Sequence, residues 1–128
     1  MSERFEEQRG QFLKALERLR EAMAENETDL IRDAMIQRFE FTFEMAWRTL
    51  FRLLTDRGER VAQQSSAVLA AAFTGLLLDD PALWDRIRIA RNQTSHTYDE
   101  DKAVEVAAMI RADALSAFDA LAAKLAAI

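Results

Sequence analysis

Ile36-Gln37-Arg38-Phe39-Glu40-Phe41-Thr42-Phe43-Glu44-Met45-Ala46-Trp47 is the stretch on which the fold turns. Ile31, Met35, Phe39, Thr42, Ala46, Leu50 and Leu53 recur through and beyond it at three- and four-residue intervals, the period of a helix face. Phe43, Trp47 and Leu54 widen that stripe, while Phe41, Met45 and Phe51 lie off it. The spacing predicts a helix that starts at Asn26 or Thr28 as N-cap, runs to about Asp56 and ends against Gly58. A helix this apolar around its circumference is not satisfied by one packing surface. It is expected at the centre of a domain or shared with a second subunit.

Outward from it, the same period continues in both directions. Phe12, Leu16, Leu19 and Met23, with Phe5 and Leu13 beside them, predict a first helix over Ser2–Ala24. After a polar connector, Ser65 or Ser66 is expected to cap a short helix from Ala67 to about Leu76, with Leu69 and Phe73 inward. Asp80 followed by Pro81 is a strong start signal for a fourth helix that carries Leu83, Trp84, Ile87 and Ala90 inward. Val106, Ile110, Ala114, Phe118, Leu121, Leu125 and Ile128 predict a last helix from Tyr98 to the end. Three glycines and one proline are too few for a sheet with tight turns. The expectation is an all-α fold, an antiparallel up-and-down four-helix bundle with an additional short helix, with residues 1–128 as a single domain.

With no cysteine there is no disulfide framework and no thiolate ligand or nucleophile. No apolar run approaches the roughly 20 residues that cross a bilayer, and Met-Ser-Glu-Arg-Phe-Glu-Glu has no signal-peptide core. A cytoplasmic location without membrane contact is expected. The net charge of −5 argues against a general nucleic-acid binder but leaves room for a local basic cleft.

One segment is chemical in character: Ala90-Arg91-Asn92-Gln93-Thr94-Ser95-His96-Thr97-Tyr98-Asp99-Glu100, which holds the single histidine and the single tyrosine. His96 is the side chain whose proton is in play near neutral pH. Thr97-x-x-Glu100 has the form of a capping box, so a helix break is expected between Arg91 and His96. An unbroken helix would rotate the two about 140° apart; a break lets both converge. Read from the residues alone, such a histidine caps carbonyls or pairs with a carboxylate, and such a tyrosine packs at an interface. Asn92 and Ser95 are candidate polar supports, with backbone bonding as their simpler role. Glu40 and Glu44, one turn apart, suggest ion pairs with Arg38 and Arg48, or with Arg91 at long range. A di-iron site is not expected, because it wants Glu-x-x-His pairs that this chain lacks.

Arg91-x4-His96-x-Tyr98, with Asn92 after the arginine, Ser95 before the histidine and the phenylalanine-rich Ile36–Trp47 upstream, resembles the HEPN superfamily. More narrowly, it resembles the small bacterial nucleotidyltransferase substrate-binding proteins, over nearly the whole chain. The resemblance implies a metal-independent endoribonuclease without a cofactor, working as a homodimer on RNA, with Arg91 and His96 catalytic. It implies a toxin of a two-gene toxin–antitoxin module, neutralised by a minimal nucleotidyltransferase that transfers AMP to Tyr98. The older family name implies an alternative, a non-catalytic subunit that holds the substrate of that enzyme. A helical dimerisation module with no active site is the third expectation.

Overall fold

The computed structural model describes residues 2–128. Helices α1 (Glu3–Met23), α2 (Asp29–Asp56), α3 (Ser65–Thr74) and α4 (Pro81–Gln93) lead into a 3₁₀ turn, Thr94–His96. Helix α5 (Glu100–Met109), a π-helical turn (Ile110–Ala114) and α6 (Leu115–Ala126) then follow without a break. No strand occurs among the described residues. The Ser2 and Thr28 hydroxyls each accept a 3.1 Å hydrogen bond from the backbone three residues on. Asp80 caps α4 by accepting from the Leu83 N–H at 3.1 Å, and Pro81 occupies the first turn. Gly58 takes φ 86° just past α2, a left-handed conformation that a Cβ disfavours.

Long-range polar contacts give the directions. Ser2 bonds Asp56, and Arg38 donates to the Arg18 carbonyl at 2.7 Å, so α1 and α2 are antiparallel. Arg9 donates to the Leu125 carbonyl at 3.0 Å and Arg111 to the Met23 carbonyl at 3.1 Å, so α1 is also antiparallel to the α5–α6 rod. Arg86 with Asp113 at 3.6 Å and Lys124 with Asp79 at 2.7 Å set α4 antiparallel to the same rod. The bundle has the expected four long elements, with α3 as the short addition.

The core is centred on Phe118. Its ring lies 6.3 Å from Phe12 of α1, 6.1 Å from Phe39 of α2 and 5.8 Å from Trp84 of α4, centroid to centroid. The Phe12 and Trp84 contacts are edge-on, the arrangement the ring quadrupole favours. Thr42 and Thr49 are buried on α2, and their hydroxyls donate to the carbonyls one turn back at 2.7 Å, which makes them tolerable among apolar neighbours.

Several local expectations are corrected. Helix α3 begins at Ser65 with Gln64 as its N-cap, and neither serine caps it. It stops at Thr74, and Leu76 turns the chain at φ 61° so that Leu77 and Leu78 are buried. Helix α5 starts at Glu100, not Tyr98. Asp99 is its cap, accepting from the Asp101 N–H at 2.9 Å, because the Thr97 hydroxyl is committed to the Thr94 carbonyl at 2.9 Å. The last rod is interrupted by the π turn. Val106, Ile110, Ala114 and Phe118 are spaced by four throughout, which in a regular α-helix drifts about 40° per step. The wider π turn absorbs that drift and keeps all four buried. Leu13 and Ile128 are exposed, not inward.

Glu27, in the α1–α2 loop, accepts from Arg111 Nε at 3.1 Å and from Arg32 Nε at 3.0 Å. The Arg111 hydrogen bond, which outweighs the opposing effect of burial, together with the hydrogen bond from Arg32 and the charges of both arginines, lowers the pKa of its carboxyl. A depressed carboxylate pKa contributes stability that is present above the unfolded value and lost as pH falls through the folded value. Glu27→Gln should therefore lower the thermal midpoint at pH 7 by a few degrees, equivalent to roughly 1 kcal/mol after solvent screening. The difference from the unsubstituted protein should shrink as pH falls through the lowered folded value of the Glu27 carboxyl and vanish once that group is protonated in both states. Thermal melts across that range check it; a difference that persists in acid contradicts it.

Candidate functional site

The Arg91–Tyr98 segment is built from three local structures. Arg91 sits in the last turn of α4, one residue after the buried Ala90 and seven after Trp84. Seven residues are nearly two turns, so Arg91 leaves α4 on the face that Trp84 packs inward, toward α2. Its Nη1 lies 3.7 Å from Glu40 Oε2 and its Nη2 3.8 Å from Glu44 Oε1. Thr94, buried at the start of the 3₁₀ turn, donates to the Arg91 carbonyl at 2.7 Å and accepts from Arg91 Nη1 at 3.2 Å.

The expected break between Arg91 and His96 is present as that 3₁₀ turn. It puts the exposed His96 at the end of the turn, with Tyr98 two residues on. The two rings meet edge to face, 6.3 Å apart at 70°. Tyr98 is 87% exposed, so its phenol is open to a reagent. No hydrogen bond or ion pair joins Arg91 to His96 among the described residues, yet both keep access to solvent. Beside Tyr98 runs a polar cleft of about 350 Å³, lined by Asp29, Arg32, Asp33, Thr97 and Glu100.

Asn92 and Ser95 are exposed, and the Ser95 hydroxyl donates to the Asn92 carbonyl at 3.4 Å, so its contact is with backbone. Of the ion pairs suggested for Glu40 and Glu44, Arg48 with Glu44 is present at 3.7 Å, and both carboxylates reach Arg91. Arg38 does not join them; it points across α1, to the Arg18 carbonyl at 2.7 Å and Glu21 at 4.0 Å. Among the described residues no three acidic or histidine side chains gather as a metal set would.

Thr94 escaped the sequence reading. The signal was there: a threonine three residues after Arg91 on a helix end can bond the carbonyl of that residue.

Chemically, the segment offers a guanidinium that can face a phosphate, a solvent-exposed imidazole and an exposed phenol. No helix among the described residues is long and apolar enough to cross a membrane. Comparison with known proteins agrees with the resemblance carried by the motif. A probable ribonuclease HepT from Haemophilus influenzae is 35% identical over 79 residues, covering 59% of this chain and 54% of that relative. The match thus spans about half the length of that curated protein. The family described as nucleotidyltransferase substrate binding protein like matches residues 7–127, nearly the whole chain. The chain belongs to that family.

Proposed function

We propose that this protein is a HEPN-type toxin of a two-gene toxin–antitoxin module: a homodimeric, metal-independent endoribonuclease, neutralised by a partner minimal nucleotidyltransferase. The observation that supports this most is the division of labour across the helix break. Arg91, at the end of α4, is flanked by Glu40, Glu44 and Thr94, while His96 and Tyr98 stand exposed beyond the 3₁₀ turn. The similarity to a probable ribonuclease points the same way.

In the proposed reaction a ribose 2′-hydroxyl attacks the adjacent phosphorus. The 2′-oxygen–phosphorus bond forms as the bond to the 5′-oxygen breaks, leaving a 2′,3′-cyclic phosphate and a 5′-hydroxyl. One His96 takes the 2′ proton, and a protonated His96 of a second copy gives a proton to the leaving oxygen. Arg91 stabilises the charge that builds on the phosphoryl oxygens. One chain has one histidine, so a two-fold dimer supplies both proton transfers at once.

Helix α2 offers a surface for that dimer. Phe41 is 57% exposed and Met45 half-buried beside it, on the flank where a groove of about 530 Å³ runs between α1 and α2. The net charge of −5 favours a second reading, a non-catalytic subunit that presents a substrate to the nucleotidyltransferase. It would bind that enzyme and change its activity toward a third molecule without cutting RNA.

Arg91→Ala and His96→Ala should each reduce RNA cleavage by at least roughly a hundredfold, the usual weight of one acid–base or charge-stabilising group, and should relieve growth arrest. EDTA should leave cleavage unchanged. Cleavage surviving in highly purified His96→Ala protein would count against the assignment.

Light scattering at micromolar concentration should give twice the chain mass for the unsubstituted protein. Phe41→Lys or Met45→Lys should give the monomer, because a buried unpaired ammonium opposes association. A monomeric parent protein contradicts the dimer.

With ATP, magnesium and the cognate nucleotidyltransferase, the Tyr98 phenol should attack the α-phosphorus and release pyrophosphate. Intact-mass spectra should then show added AMP. Cleavage should fall as the adduct accumulates, since each AMP sets a bulky anion beside His96. Tyr98→Phe should take no label and stay active. A demonstrable complex that yields no adduct sinks this mode of control.

A further inference from the structure

Arg91 is not free at the motif. Both carboxylates that face it come from α2, one turn apart, and they approach its outer nitrogens at 3.7 and 3.8 Å. Those distances exceed the roughly 2.9 Å of a charge-assisted hydrogen bond, so the attraction is Coulombic and unsaturated. The one hydrogen bond the guanidinium donates goes to Thr94 at 3.2 Å, and its Nε is buried without a partner. Glu44 is itself fixed in advance. It accepts from the buried Trp47 indole at 3.2 Å and lies 3.7 Å from Arg48. The three charged side chains are similarly half-open, 30% for Arg91, 34% for Glu40 and 29% for Glu44. The outer edge of the guanidinium is thus held by contacts that an anion can displace.

We propose that Glu40 and Glu44 are positioning residues for Arg91. They form a carboxylate cradle across the α2–α4 contact that fixes the guanidinium at the motif and yields its outer edge to an incoming phosphate. The proposal rests on the reading above in taking that phosphate to belong to RNA. The cradle has two opposed effects. Its negative charge weakens ground-state binding of a phosphate. It also keeps a long, otherwise mobile side chain ordered, so less freedom is lost when the transition state forms. Removing the charges should therefore tighten binding and slow turnover together, a combination that loss of fold does not produce.

Glu40→Gln, Glu44→Gln and the double variant test this, because glutamine keeps an oxygen for the Trp47 indole. KM and kcat are measured on an RNA oligonucleotide, and Kd on the same oligonucleotide carrying 2′-O-methyl groups. The double variant should bind roughly fivefold tighter, as expected for two charges removed near a partly solvated phosphate, and turn over roughly tenfold more slowly. Unchanged constants, or weaker binding with slower turnover, overturn the cradle. In parallel, the Arg91 Nε–H resonance, assigned by its loss in Arg91→Lys, is followed by nitrogen-15 NMR during titration with inorganic pyrophosphate. If the parent protein cuts no RNA, the nuclease reading falls and the cradle is judged on this resonance alone. It stands if pyrophosphate shifts the signal at several-fold lower concentration in the double variant, and falls if the two titrations coincide.

Discussion

The packing of Phe118 against rings from three other helices, edge-on to Phe12 and Trp84 and tilted on Phe39, is the contact on which the rest depends. Phe12, Phe39 and Trp84 come from α1, α2 and α4, and Phe118 itself from α6, so one side chain registers every long element of the bundle. Truncating a ring of this kind costs about 3–5 kcal/mol, a large part of the total for a domain of ordinary stability. The consequence for the site is geometric. Phe39 is the residue before Glu40, and Trp84 is seven before Arg91 on the same face. Fixing Phe39 and Trp84 on a common ring therefore sets the α2 carboxylates opposite the guanidinium of α4.

Under the proposed function, that register is how an acidic protein would still offer a cation to a phosphate. Glu40 and Glu44 lie 3.7 and 3.8 Å from the Arg91 guanidinium, and in the proposed cradle they give way to a competing anion. The 3₁₀ turn beyond it keeps His96 and Tyr98 in solvent, away from the same carboxylates. Helix α2 contributes on two sides: Glu40 and Glu44 toward α4, and Phe41 and Met45 along the groove beside α1. A helix that is apolar around most of its circumference is what such a double duty requires.

Much of this was legible in the residues. Strong local chemistry marked the Thr28 and Asp80 caps, the left-handed Gly58 and the inward faces of α1, α2 and α4, and the structure has them. What was not legible depended on competition between neighbours. Thr97 and Asp99 can each cap α5, and Asp99 wins because the Thr97 hydroxyl is spent on Thr94. The short third helix was expected to reach Leu76, yet Leu76 turns left-handed just past it, and Leu77 and Leu78 beyond it are buried. The π turn follows from a run of four-residue spacings that each look helical in isolation. At the site, the motif named Arg91, His96 and Tyr98. The hydroxyl anchor from Thr94 was missed, and Arg38 was placed with the wrong partner because side-chain reach across α1 is a tertiary fact.

The central claim is that two copies of this chain build one RNA-cleaving site, each giving a histidine. Parent protein and His96→Ala protein, co-refolded in varied ratios at constant total concentration, test it through the rate of RNA cleavage. Mixed dimers hold one histidine and should be inactive, so the rate should fall as the square of the parent fraction. A linear decline would mean that each chain carries a complete site, and an inactive parent protein that there is no such site; either contradicts the account.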